Sequence, residues 1–197
     1  MKHFSMLRSF HVADLFTIAN GCCGIVAIFH AMRFLLTLDP RSIYLATLLV
    51  PLAIAFDVLD GRIARWRHRA SPMGRELDSL ADLISFGVAP AAIAYAVGLR
   101  TTADQIVLVY FVLCGLSRLA RYNVTADALA DRQGKVRYFE GTPIPTSIVP
   151  LGLLLLAYHR ERLFPFEIFG IEFHLTVLLF AVSGSLMISK TLKVPKP

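Results

Sequence analysis

Apolar residues fall into six stretches, 12–38, 42–66, 75–98, 104–122, 144–159 and 167–189, and polar residues gather between them rather than alternating through them. Stretches of this kind, hydrophobic around the whole helical circumference, predict helices that cross a bilayer, for which ~20 residues suffice. The expectation is an all-α integral membrane protein: one domain over residues 1–197, built as a six-helix transmembrane bundle and preceded by a juxtamembrane segment at 1–11. The fifth stretch is short and opens with TPIPTSIVP, whose prolines predict a kinked or partly re-entrant start. The first apolar stretch is long and lacks a small-residue cleavage pattern, so it reads as a retained span.

Composition agrees. The chain is 56% hydrophobic and 17% charged, with a mean hydropathy of +0.62, outside the range of a soluble domain. Basic residues set the expected sidedness. Arg62, Arg65, Arg67, Arg69 and Arg75 lie between the second and third stretches, Arg121, Arg132, Lys135 and Arg137 between the fourth and fifth, and Lys190, Lys193 and Lys196 in the tail. The other connections carry chiefly Arg41, Arg100, Arg160 and Arg162. The positive-inside rule then puts both termini and the arginine-rich loop in the cytoplasm. A net charge of +6 is accounted for by anionic lipid headgroups and calls for no nucleic acid.

Cys22, Cys23 and Cys114 have no metal-ligand spacing and read as small packing residues. The six histidines are scattered, with no paired spacing beside an acid, and give no support to zinc chemistry.

What lipid-soluble helices do not explain is acid. Asp57 and Asp60 are three apart and Asp78 and Asp82 four apart, so each pair shares one helix face. Pro72 and Gly74 between them suggest a turn, which would bring the two faces together. One such carboxylate could be a solvated helix-end charge paired with the nearby arginines. Four at helical spacing, with small residues interleaved, mark a functional site. Carboxylates so close repel one another unless cations neutralise them, and hard divalent ions with oxygen ligands, Mg2+ or Mn2+, suit the site better than zinc. Gly61, Ala64 and Gly74 would let a ligand approach the backbone, and Arg65 can meet a phosphate oxygen, which together imply a polyanionic substrate. A divalent-cation transporter also needs intramembrane carboxylates, but such sites lie near the midplane and often between repeats; these acids sit near helix ends and no repeat is visible.

The eight residues Asp57, Asp60, Gly61, Ala64, Arg65, Gly74, Asp78 and Asp82, with their spacing, resemble the complete signature of the CDP-alcohol phosphotransferase family. Further stretches, DLFTIANGCCG at 14–24, SFGVAP at 85–90, CGLSRLARYNV at 114–124 and FEGTPIPTS at 139–147, are similar to the phosphatidylserine synthases within it. The resemblance implies a homodimer of six-span subunits in a prokaryotic cytoplasmic membrane, with the active site on the cytoplasmic side. It implies two Mg2+ or Mn2+ ions held by Asp57, Asp60, Asp78 and Asp82, and transfer of a phosphatidyl group from CDP-diacylglycerol to L-serine with release of CMP. Asp82 would also serve as general base. Thr17, Asn20, Gly61, Ala64, Arg65 and Gly74 are the candidates for binding CDP, and Ser85, Arg118, Arg121, Asn123 and Glu140 for binding the acceptor. Two arginines would equally suit the phosphate of glycerol 3-phosphate or inositol phosphate.

Overall fold

The computed structural model describes residues 12–67, 72–130, 138–168, 170–189, 191 and 193–195. Helices dominate: α1 (Val12–Thr37), α2 (Pro40–Arg67), α3 (Pro72–Asp82), α4 (Ala89–Val97), α5 (Thr102–Ala130), α6 (Ile148–His159) and α7 (Leu178–Ile188). Four helical spans, Asp14–Thr37, Pro40–Ile63, Met73–Val97 and Thr102–Val124, are long and apolar enough to cross a membrane, and Ile144–His159 and Leu175–Ile188 form two shorter apolar helices. The expected juxtamembrane segment 1–11 lies outside the described residues.

Packing is arranged for lipid rather than water. Where α1 and α2 meet the bundle they bury small or branched residues, Ala27, Ala31, Ile43, Ala46, Val50 and Ala53. Several of their large side chains turn outward: Phe29, Leu36 and Leu48 are all exposed. Small residues let helix backbones approach closely, which is how helices associate when the surroundings are as apolar as leucine. At the centre, Phe111 of α5 meets Phe180 of α7 edge-on, with centroids 5.2 Å apart.

The third span is one rod of three parts. Leu83–Val88 forms a π-helical segment joining α3 to α4, and the N–H of Ala89 reaches back five residues to the carbonyl of Ile84. The span also begins earlier than its apolar stretch. Pro72 and Gly74, read from sequence as turn residues, lie inside the first turn of α3, where proline's missing N–H costs nothing.

At the start of the fifth stretch Pro143 stands just before a short turn and Pro145 lies within it. Ile144–Ser147 is a 3-10 turn that leads into α6. The sixth stretch does not form one helix. Residues Pro165–Ile168 (β2) and Ile171–His174 (β3) pair as an antiparallel hairpin, and helix resumes only at Leu175. Here Phe166, Ile168, Ile171 and Phe173 alternate with Glu167 and Glu172, a period of two that overrides mean hydropathy, and Gly170 turns at φ +78°. A second short pair joins Tyr138–Glu140 (β1) to Lys193–Pro195 (β4). The described residues thus form a mostly helical membrane protein, in line with the all-α expectation, with two short strand pairs added to it.

The hairpin is fastened to α5. Asp104, fully buried, accepts hydrogen bonds from the backbone N–H of His174 at 2.9 Å and of Thr101 at 3.1 Å, and its other contact is to His174 Nδ1 at 2.7 Å.

Candidate active site

Asp57 and Asp60 lie near the C-terminal end of α2, and Asp78 and Asp82 lie on α3. Carboxylate oxygens of Asp57, Asp60 and Asp78 come within 4.8 Å of one another. Asp82 is buried at one side of this group, within electrostatic reach of Asp57, Asp60 and Asp78. The helical spacing read from sequence therefore does bring the four acids together.

First-helix residues hold the acids in place. The Thr17 hydroxyl donates to Asp60 Oδ2 at 2.7 Å, and Asn20 Nδ2 donates to Asp82 Oδ1 at 3.0 Å. Sequence placed Thr17 and Asn20 among the CDP contacts; in the fold the Thr17 hydroxyl and the Asn20 amide nitrogen engage carboxylates. α1 comes this close because Gly24 faces the π-helical segment, where a β-carbon would stand 2.6 Å from Ser85 Oγ. The Ser85 hydroxyl donates to the Asn20 carbonyl at 2.8 Å. Ser85, expected to meet the acceptor, thereby also fixes the helix turn that carries Asn20.

The site fits divalent cations on its own chemistry. Its donors are carboxylate oxygens, the preferred ligands of hard ions. Asp78 Oδ1 is buried without a hydrogen-bond partner, an arrangement that costs free energy unless something fills it. Asp60 and Asp82 are each oriented by a neutral donor, as metal-binding carboxylates commonly are.

Among the remaining candidates, Gly61 lies in α2 and Gly74 in α3. The side chains of Ala64, Arg65 and Glu140 lie outside the described residues; their backbones belong to α2 and β1. Arg118 of α5 is within electrostatic reach of Asp82, and its Nε is buried without a partner. Arg121, one turn on, reaches the Ile188 carbonyl at the end of α7 at 3.5 Å. Asn123 bridges to α3, donating to Ser79 Oγ at 3.1 Å and Glu76 Oε2 at 3.2 Å. Ser79 and Glu76 had escaped the sequence reading because they fall between the conspicuous aspartates.

Residues 10–187 match the family described as CDP-alcohol phosphatidyltransferase. The chain belongs to that family. Within it, the chain is 49% identical over 204 residues to a CDP-diacylglycerol–serine O-phosphatidyltransferase of Saccharomyces cerevisiae, a match covering 99% of this chain and 74% of the yeast protein. A Bacillus subtilis protein of the same name is 35% identical over 151 residues, 76% of this chain and 77% of that one. An archaetidylserine synthase of Methanothermobacter thermautotrophicus is 36% identical over 146 residues, 73% of this chain and 57% of the archaeal protein. These family members span a eukaryote, a bacterium and an archaeon, so membership does not select a prokaryotic membrane.

Proposed function

We infer that this chain is a serine O-phosphatidyltransferase, moving the phosphatidyl group of CDP-diacylglycerol to the hydroxyl of L-serine and releasing CMP. The observation that carries the reading is the grouping of Asp57, Asp60 and Asp78 beside an Asp82 held by Asn20. In the family to which the chain belongs, that grouping is the place for a CDP-linked donor.

Asp57, Asp60, Asp78 and Asp82 would hold two divalent ions, Mg2+ or Mn2+. When bound, such ions neutralise a pyrophosphate and make its phosphorus more open to attack. The residues of the chain do the rest. Asp82 accepts the proton of the serine hydroxyl as its oxygen forms a bond to the phosphatidyl phosphorus. The bond from that phosphorus to the CMP oxygen breaks, and CMP leaves with the electron pair. Asn20 keeps Asp82 aimed during the transfer, and Thr17 does the same for Asp60. Gly61, Ala64, Arg65 and Gly74, as members of the eight-residue signature, are the candidates to receive the cytidine and phosphates. Arg118 and Arg121 would attract the serine carboxylate and Glu140 its ammonium, with Ser85 and Asn123 as neutral partners.

The whole chain forms one catalytic domain with six spans, both termini and the active site on the cytoplasmic side, and works as a homodimer. Support for the sidedness is the basic content of the loop between α2 and α3 and of the tail. Labelling of single cysteines placed at residues 39, 69 and 161 in sealed vesicles tests it, with only 69 expected on the cytoplasmic side; cross-linking in native membranes tests the dimer.

CMP release by the purified protein with CDP-diacylglycerol and Mn2+ tests the function. Stimulation is expected with L-serine and not with glycerol 3-phosphate, inositol phosphate, inositol or choline. Stimulation by one of those others, without serine, would overturn the acceptor while leaving the family intact.

A further inference from the structure

The segment between β1 and α6 is clamped to the last turn of α7. The Thr142 N–H donates to the Leu186 carbonyl at 3.1 Å. Gly141, at φ +75°, presses so close to the Met187 carbonyl that a β-carbon has no room. Arg121 reaches the neighbouring Ile188 carbonyl, so Thr142 and Arg121 meet the same helix end.

Two residues on, the chain touches α5. Ile144 lies directly on Gly115, where a β-carbon would stand 2.8 Å from Ile144 Cδ1. Gly115, Arg118 and Arg121 follow one another at intervals of three on α5 and share one face. Arg118 on that face feels the charge of Asp82.

Each of these two segments carries an unsatisfied donor. Thr142 Oγ1 and Arg118 Nε are both buried without a hydrogen-bond partner. Buried polar atoms are normally paired, and exceptions call for a reason such as a ligand. An arginine nitrogen can only donate and a threonine hydroxyl can donate, so together they suit a group that only accepts. A carboxylate is such a group.

We propose that the Thr142 hydroxyl, together with Arg118 Nε, binds the carboxylate of the amino-acid acceptor, making Thr142 a determinant of acceptor choice. This rests on the serine reading above and adds a residue that motif and charge did not single out. Thr142 is placed to act because its own N–H is fixed to α7, leaving only its hydroxyl to turn toward the ligand.

The experiment compares the purified wild type with Thr142→Val, which keeps the shape and removes the hydroxyl, and Thr142→Ser, which restores it. Steady-state CMP release is measured with L-serine and, at higher concentration, with ethanolamine, which has the hydroxyl and ammonium but no carboxylate. Thr142→Val is expected to raise KM for L-serine about tenfold or more, the loss typical of a hydrogen bond to a charged group. Its kcat at saturating serine and its KM for CDP-diacylglycerol should stay within about threefold, the range of near-neutral substitutions. Thr142→Ser should recover most of the serine KM. An unchanged serine KM in Thr142→Val overturns the proposal, as does an equal loss with ethanolamine, an equal rise in the donor KM, or no recovery in Thr142→Ser. Wild-type protein that ignores serine and uses another alcohol would sink the serine reading itself, a result separate from any effect at Thr142.

Discussion

Asn20 Nδ2 donates to Asp82 Oδ1 at 3.0 Å across a sequence separation of 62 residues. The bond joins α1 to the end of α3 and fixes the carboxylate to which the mechanism assigns the acceptor's proton. Replacing Asn20 by Leu keeps its size and removes its donor. The expected result is a fall in kcat of about 10- to 100-fold, the range for losing a group that orients a metal-site ligand, with a smaller change in KM for serine. Steady-state kinetics on both substrates checks it, and a variant with normal kcat would remove Asn20 from the mechanism.

Asp82→Asn should abolish turnover and leave the bundle intact. The amide cannot take the serine proton, yet it fills the same volume beside Asn20. Circular dichroism and size-exclusion profiles matching wild type, with CMP release at background, are the expected outcome; near-normal release would take the proton transfer away from Asp82.

Chelation should behave like loss of the cluster. Treatment with EDTA is expected to stop CMP release, and added Mn2+ or Mg2+ to restore it, because the site offers only hard oxygen donors. In Asp57→Ala or Asp78→Ala, excess metal should not restore activity. Full activity in EDTA would contradict a divalent-ion role.

Gly24 makes a different prediction, about stability. A β-carbon there would lie 2.6 Å from Ser85 Oγ and 2.8 Å from Ser85 Cα, so α1 and the π-helical segment would have to move apart. Gly24→Ala should cost about 1–3 kcal/mol, as overpacking does elsewhere, and lower activity because the shift also moves Asn20. Thermal unfolding in detergent measures it; an unaltered midpoint would mean that the two helices have slack.

Asp104 tests the hairpin. It is fully buried and joins the start of α5 to His174. Asp104→Ala should destabilise the protein by roughly 3 kcal/mol, from hydrogen bonds lost to a charged group and donors left unpaired. At permissive temperature kcat should change little, since this contact belongs to the ends of the spans away from the four aspartates. Limited proteolysis should find new cleavage at 165–174; an unchanged pattern would show that the hairpin is held by other contacts.

The sequence by itself determined that this is a membrane protein, where its long helices lie, and that four aspartates make one site. Each of these depends on local spacing. The face a helix turns to lipid must be apolar because hydrocarbon offers its side chains no polar partner, and acids three or four apart must share a face.

Only the tertiary structure decided what depends on contacts between distant segments. That Thr17 and Asn20 hold Asp60 and Asp82, that Ser85 grips α1 through Gly24, and that Asp104 fastens His174 are pairings across 43 to 70 residues, and no local pattern encodes which helix faces will meet. The π-helical turn after Asp82 was hidden for a different reason: mean hydropathy records how apolar a stretch is, and does not distinguish an α turn from a π turn. The hairpin at 165–174 did have a local signal, the alternation of Phe166, Ile168, Ile171 and Phe173 with Glu167 and Glu172, which averaging over an apolar stretch conceals.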